Sequence, residues 1–295
     1  MLTRDRKGSP MNKQLKIRDG KVVGRGIEWC DLTWNYMGGC EHRCAWDMPN
    51  GERAICYAKD VAMGVAQPFY PHGFEHHYTH PDRLDEPFRY QKPSRIFIDS
   101  MSDMFGRWVP AADINVMCDM MQAAPWHTFL SLTKNAPRLL KMARFPKNLH
   151  VGISSPPDHM WGHALSSQGK AKMLGKALHT LQQVRGRHGV ITWMSAEPLS
   201  WDIAPILAEY PGALQWIVIG AATNGPQRLM PDAQHLTNLL AECDAQLIPV
   251  FFKGNLAGHP AASPWREFYP SYVPSPWNTA PSPYTLQPSG VGHAY

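Results

Sequence analysis

Three of the chain's six cysteines fall within 17 residues: Cys40 and Cys44 in Gly39-Cys40-Glu41-His42-Arg43-Cys44, then Cys56 in Cys56-Tyr57-Ala58. Thiolates are soft ligands that favour zinc, copper(I) and iron–sulfur centres. Three of them are one fewer than a closed structural zinc site takes. They are also the number that holds a [4Fe–4S] cluster by three irons and leaves the fourth open to a substrate or cofactor. No C-x2-C pair is present, the spacing usual in zinc ribbons and fingers. Zinc completed by His42, or by a histidine of Pro71-His72-Gly73-Phe74-Glu75-His76-His77-Tyr78-Thr79-His80, stays open on spacing alone, as do unligated cysteines. Cys118 and Cys243 lie in apolar helical patterns and read as buried core thiols. Cys30, in a strand-like segment upstream, is expected to stay out of the loop.

A second set of chemistry-bearing residues recurs just after short apolar runs: Asp99-Ser100-Met101-Ser102-Asp103, Thr133-Lys134-Asn135, Ser154-Ser155, Ser195-Ala196-Glu197-Pro198, Gly220 to Pro226, and Lys253-Gly254-Asn255. In a parallel α/β fold the carboxyl ends of strands form the ligand-binding rim. A charge ending a buried strand needs a partner, which singles out Asp99, Asp103, Lys134, Glu197 and Lys253. Ser102, Ser155 and Asn224 equally suit turns or helix caps. No phosphate-binding G-x4-G-K-[ST], dinucleotide G-x-G-x-x-G or G-x-S-x-G elbow appears in a suitable place.

The elements that must position these residues are legible as runs. Residues 26–35 lead as a strand into the cysteine loop. Short apolar runs follow at 95–99, 128–132, 149–153, 190–194, 216–219 and 247–252, as expected of strands buried on both faces. Helical patterns fall at about 56–64, 111–123, 136–143, 164–185, 203–209 and 232–243, with Leu174, Leu178, Leu181 and Val184 marking one face. A polar, aromatic, proline-bearing insertion occupies 67–94. Seven strands joined by helices predict parallel βα units, in a barrel or a doubly wound sheet.

At 295 residues with 44% hydrophobic content, the chain suits one large core. The organisation expected is a basic arm over 1–24, a βα domain over 25–258, and a Pro-rich extension over 259–295 holding eight prolines. The arm carries Arg4, Arg6, Lys7, Lys13, Lys16, Arg18 and Lys21 against Asp5 and Asp19, which equals the whole net charge of +5. Such an arm suits either a solvated end or attraction to nucleic acid. No run of 18 apolar residues and no secretory h-region appears, so no membrane partner is expected. Six cysteines without a secretory route point to a reducing, cytoplasmic setting.

Taken in order, Ile27-Glu28-Trp29, Thr33-Trp34-Asn35, Gly39-Cys40, Cys56-Tyr57-Ala58, Ile96 to Phe105, Leu132-Thr133-Lys134, Ser195 to Leu199, Trp216 to Gly220 and Phe251-Phe252-Lys253 resemble a phage and prophage protein family related to the radical S-adenosylmethionine (SAM) enzymes. The resemblance runs from about 27 to 255. It implies a partial or complete (β/α) TIM-like barrel of the radical SAM type. It further implies a [4Fe–4S] cluster on Cys40, Cys44 and Cys56, with SAM on the fourth iron. An external electron donor would drive reductive cleavage of SAM to methionine and a 5′-deoxyadenosyl radical. By the same likeness Ser100, Ser102 and Asp103 would meet the SAM amino group, Ser154 and Glu197 its ribose or carboxylate, and Lys134 its carboxylate or the substrate. The superfamily spacing C-x3-C-x2-C is kept in its first gap, but the second holds eleven residues, Ala45 to Ile55. Closure entropy rises only slowly with loop length, so that departure is physically tolerable. The expected substrate is a nucleic-acid base or nucleotide, in phage DNA modification or repair, with a peptide or small metabolite next. The alternative from another class is a zinc-stabilised, non-catalytic nucleic-acid-binding or phage accessory protein.

Overall fold

The computed structural model of the protein describes residues 11–18, 21–48, 50–224 and 227–270. Seven parallel strands form the frame: β1 (Leu32–Trp34), β2 (Arg95–Ile98), β3 (Thr128–Thr133), β4 (Leu149–Ser154), β5 (Thr192–Ala196), β6 (Ile217–Ile219) and β7 (Val250–Phe252). They lie side by side in chain order, and Asn12–Lys13 adds an antiparallel strand beside β1. Crossovers between parallel strands are right-handed. A sheet that never reverses its order therefore keeps its crossovers on one face and curls. A doubly wound sheet reverses at a switch point, and this one does not. The sheet runs from edge to edge without closing, so the barrel is partial.

The connections match the periodicity. They are α1 (Tyr57–Met63), α2 (Ala111–Ala123), α3 (Ser167–His188), α4 (Ala204–Ala208) and α5 (Ala233–Ala245). The expected helix at 136–143 is a 3₁₀ turn, Ala136–Lys141, with a proline at its start. In the 67–94 insertion lie three 3₁₀ turns and the short strand Tyr78–Thr79, which pairs with Met37–Gly38.

Strand side chains alternate between two apolar layers. Ile96, Ile98, Phe129, Leu149, Val151, Ile153, Met194 and Ile217 pack with the helices, against Ile114, Met117, Leu174, Leu178, Leu181 and Leu236. Phe97, Leu130, Trp193, Val218 and Phe251 fill the inner face with Trp29, Cys30 and Trp216. Burial on both sides is why each strand reads as an apolar run rather than an alternating one. Gly152 makes room for this filling: a Cβ there would come within 2.5 Å of the Trp193 indole and the Ser131 carbonyl.

Within the span expected to be an arm, Asn12–Lys13 pairs with β1 and Leu15–Arg18 pairs with Lys21–Arg25; Arg4, Arg6 and Lys7 lie outside the described residues. Of the Pro-rich extension, residues 259–270 are described and 271–295 are not. No helix among the described residues is long and apolar enough to cross a membrane.

Candidate functional site

The cysteine loop leaves the carboxyl end of β1. Gly39 turns it, at φ +86, where a Cβ would run into the His76 carbonyl. The loop is tied to the end of β2 by the Gly39 N–H donating to the Met101 carbonyl at 3.1 Å and the Ser102 hydroxyl donating to the Gly39 carbonyl at 2.7 Å. The Cys40 N–H then donates to the Phe74 carbonyl at 2.8 Å.

The eleven-residue gap is a β-hairpin. Ala45–Asp47 pairs antiparallel with Arg53–Ile55, in the register Ala45 to Ile55, Trp46 to Ala54 and Asp47 to Arg53. At its base the Cys56 N–H donates to the Cys44 carbonyl at 3.1 Å, so residues far apart in sequence become cross-strand neighbours. Cys56 then stands as the N-cap of α1. The hairpin is braced by His159–Met160, which pairs beside it, and by the His159 imidazole on Asp47 at 2.8 Å. The turn signal was present in the sequence as Asn50-Gly51, a dipeptide that favours hairpin loops.

All three cysteines are free and lie within electrostatic reach of one another and of Lys134. Burial pushes the Cys44 thiol up to about 12, opposed by the Lys134 ammonium and reinforced by Cys56 and Asp103. Burial, and then Asp103, raise Cys40 well above the usual thiol range. Burial works against the Lys134 ammonium, yet Cys44, Cys56, Cys40 and Asp103 together hold its pKa above the ordinary lysine value. Lys134 is thus the cation that opposes the effect of burial on the Cys44 thiol.

Beneath the loop lies a buried hub that sequence reasoning missed. Asp103 is 4% exposed. Its Oδ2 accepts from His42 Nε2 at 2.7 Å, Thr133 Oγ1 at 3.0 Å and the Lys134 N–H at 3.0 Å, and its Oδ1 accepts from the Phe105 N–H at 2.9 Å. Burial alone would raise this carboxyl; His42, the Lys134 N–H and Thr133 more than offset it and hold it below the usual range. One carboxylate thus fastens His42, midway between Cys40 and Cys44, to the end of β3.

The remaining residues expected at the site divide. The Ser100 hydroxyl donates to Asn35 Oδ1 at 3.0 Å, and its carbonyl accepts from the Tyr57 hydroxyl at 2.5 Å. Ser102 and Asp103 are engaged in holding the loop, as above. Ser154 ends β4, beside Ser195. Glu197 stands on the far flank, accepting from the Trp29 indole at 2.9 Å and paired with Lys253 at 3.0 Å; that carboxylate, outweighing burial, raises the Lys253 pKa. Tyr57, at the start of α1, is tied to the end of β2 through that bond to the Ser100 carbonyl. Cys30 lies in the inner apolar layer, donating to the Ile27 carbonyl, away from the loop. Among the described residues no three His, Cys, Asp or Glu side chains converge as a single metal ion would require.

Residues 24–262 match the model of a family described as a protein of unknown function (DUF5131). A comparison with curated proteins finds no match. Among solved structures the chain is similar to spore photoproduct lyase complexed with dinucleoside spore photoproduct, at TM-score 0.47 and 10% identity over 77% of each chain. It is also similar to a variant of that lyase with bound AdoMet and dinucleoside spore photoproduct, at TM-score 0.47 and 9% identity over 77% of each chain. At that level of overlap the likeness says nothing about chemistry, which rests on the side chains described above.

Proposed function

The chain belongs to the DUF5131 family of proteins of unknown function, and we propose that it is a radical SAM enzyme acting on a nucleic-acid base or nucleotide. The observation that carries the reading is the hairpin. It returns Cys56 to Cys44 at the carboxyl rim of an open parallel sheet, with all three thiols near enough to Lys134 to raise its pKa.

The donor set fits a [4Fe–4S] cluster. Around one zinc ion every thiolate must sit about 2.3 Å from a single point, whereas three thiolates of a cluster each bind a separate iron. When bound, such a cluster supplies the electron that cleaves SAM reductively. Cys40, Cys44 and Cys56 would be its ligands. The Lys134 ammonium offsets the charge of three thiolates in a desolvated loop and offers a donor for a SAM carboxylate. Ser100, Ser154 and Glu197, at or just past the carboxyl ends of β2, β4 and β5, would be further SAM contacts. Ser102 and Asp103 act from below, fixing the loop rather than touching the cofactor. The Trp29, Trp193 and Trp216 layer closes the inner face beneath the mouth and keeps water from entering there.

The nucleic-acid substrate rests on the motif resemblance and on the basic residues between Arg4 and Lys21. The phage or prophage setting rests on the resemblance alone, and the electron comes from an external donor. Anaerobically purified protein should be brown, carry about four irons per chain, and release 5′-deoxyadenosine from SAM when given dithionite. Cys44→Ala should abolish both. A colourless protein with one zinc per chain would overturn the reading. Faster SAM cleavage with single-stranded DNA, duplex DNA or nucleotides identifies the substrate class, and no stimulation by any of them excludes it.

A further inference from the structure

The hairpin between Cys44 and Cys56 carries a group that neither packing nor pairing explains. Trp46 is 8% exposed and packs in one small apolar cluster with Cys44, Met48, Ala54 and Ala222, with Cys56 against its edge. Its indole Nε1–H is buried and has no acceptor among the described residues. Elsewhere the chain provides for its indoles. Trp29 donates to Glu197, Trp34 to the Arg83 carbonyl, Trp126 to that of Tyr90, Trp193 to that of His150, Trp201 to that of Pro156 and Trp216 to that of Phe268. Among the described residues the buried indole N–H groups left unpaired belong to Trp46 and Trp108, and both border the cysteine loop; Trp108 stacks edge-on to His42, with ring centroids 4.9 Å apart. A buried donor without an acceptor is costly, and phenylalanine would fill the space without that cost.

We propose that the Trp46 Nε1–H donates a hydrogen bond to sulfur of the iron–sulfur centre held by Cys40, Cys44 and Cys56, and thereby sets its reduction potential. The inference rests on the radical SAM reading above. Hydrogen bonds to the sulfurs are among the levers that fix the potential of such a centre. Reduction adds negative charge to the sulfurs, so a donor stabilises the reduced form more than the oxidised one and raises the potential. The eleven-residue departure from the usual cysteine spacing then has a use: it delivers a donor that a two-residue gap has no room to hold.

The test uses the full chain, loaded with iron anaerobically and reduced with dithionite, with Trp46→Phe and Trp108→Phe beside it. A redox titration followed by electron paramagnetic resonance should place the Trp46→Phe midpoint below that of the wild type and leave Trp108→Phe unmoved. Pulsed resonance on reduced wild-type protein grown with ¹⁵N-indole tryptophan should show a ¹⁵N coupling that Trp46→Phe loses and Trp108→Phe keeps. That coupling decides the matter, and it is measured on the wild type even where Trp46→Phe does not load. A wild-type cluster with no ¹⁵N coupling, or one whose coupling survives Trp46→Phe, overturns this assignment alone. Wild-type protein that takes up no iron overturns the radical SAM reading and this inference with it.

Discussion

Asp99 and Asp103 are both buried at the rim, and their surroundings push their pKa values in opposite directions. Asp103 has four donors, which outweigh burial and hold its pKa below the usual range. Asp99 accepts from the Met37 N–H at 2.8 Å, but its second oxygen has no partner, and burial pushes its pKa well above the carboxylate range. The stability consequences have opposite signs. A depressed pKa adds stability that is present above the unfolded value near pH 4 and lost as pH falls through the folded value. Replacing Asp103 by Asn should therefore cost about 3 kcal/mol at pH 7, and the gap from wild type should shrink below pH 4 in urea titrations. A raised pKa works the other way: stability is full below about pH 4 and lost as pH rises through the folded value. Asp99→Asn should raise the melting temperature at pH 8 and leave it nearly unchanged at pH 4. Asn also suits the residue's left-handed φ of +52; an equal shift at both pH values would contradict the argument. The sequence marks these aspartates as charges ending a buried strand and goes no further. Which one is satisfied depends on His42, Phe105, Thr133 and Lys134, contributed by three separate segments.

At the scale of elements, the cysteine loop stood out in the sequence by its spacing, but its shape did not. The strands could be read because burial on both faces leaves unbroken apolar runs. The hairpin at 45–55 is short, and its paired residues, Ala45 with Ile55 and Asp47 with Arg53, show no clean alternation. Asn50-Gly51 was the one local signal of the turn. Its function as a spacer makes a specific demand: the base register must be kept, while the tip is free to vary. Two glycines inserted after Gly51 should leave iron content within about 20% of wild type, because each added loop residue costs little closure entropy. One residue inserted between Ala54 and Ile55 slips the register and turns the side chains of one strand over. That variant should lose most of its iron while its far-ultraviolet circular dichroism stays that of the folded sheet. Equal iron in both insertions would mean that Cys56 is not positioned by the hairpin.

An open sheet has two edges, and this molecule covers both with chain from its ends. Asn12–Lys13 lies antiparallel along β1. On the other side the Phe252 N–H donates to the Arg266 carbonyl at 2.8 Å and the Phe268 N–H to the Val250 carbonyl at 3.0 Å, so residues 266–268 shield β7. Arg266 is pinned to Asp244, and Tyr269 lies under the Arg95 guanidinium, 3.8 Å from ring centroid to Cζ. Exposed strand edges invite pairing with other chains, which a closed barrel avoids and a partial one must prevent by other means. The seven parallel strands were legible in the sequence, whereas these flanks had the look of an arm and a tail. Segments of two or three residues are too short to show a period, and their pairing partners stand 14 to 21 positions away across intervening chain. The region matched by the family model, 24–262, stops inside both covers. A fragment cut to those bounds keeps every parallel strand and still bares both edges. It should melt at least about 5 °C below the full chain, since more than 1 kcal/mol of edge pairing and packing is removed. It should also form high-molecular-weight species in size-exclusion chromatography at concentrations where the full chain does not. A fragment that matched the full chain in both measurements would show that the curl of the sheet alone protects its edges.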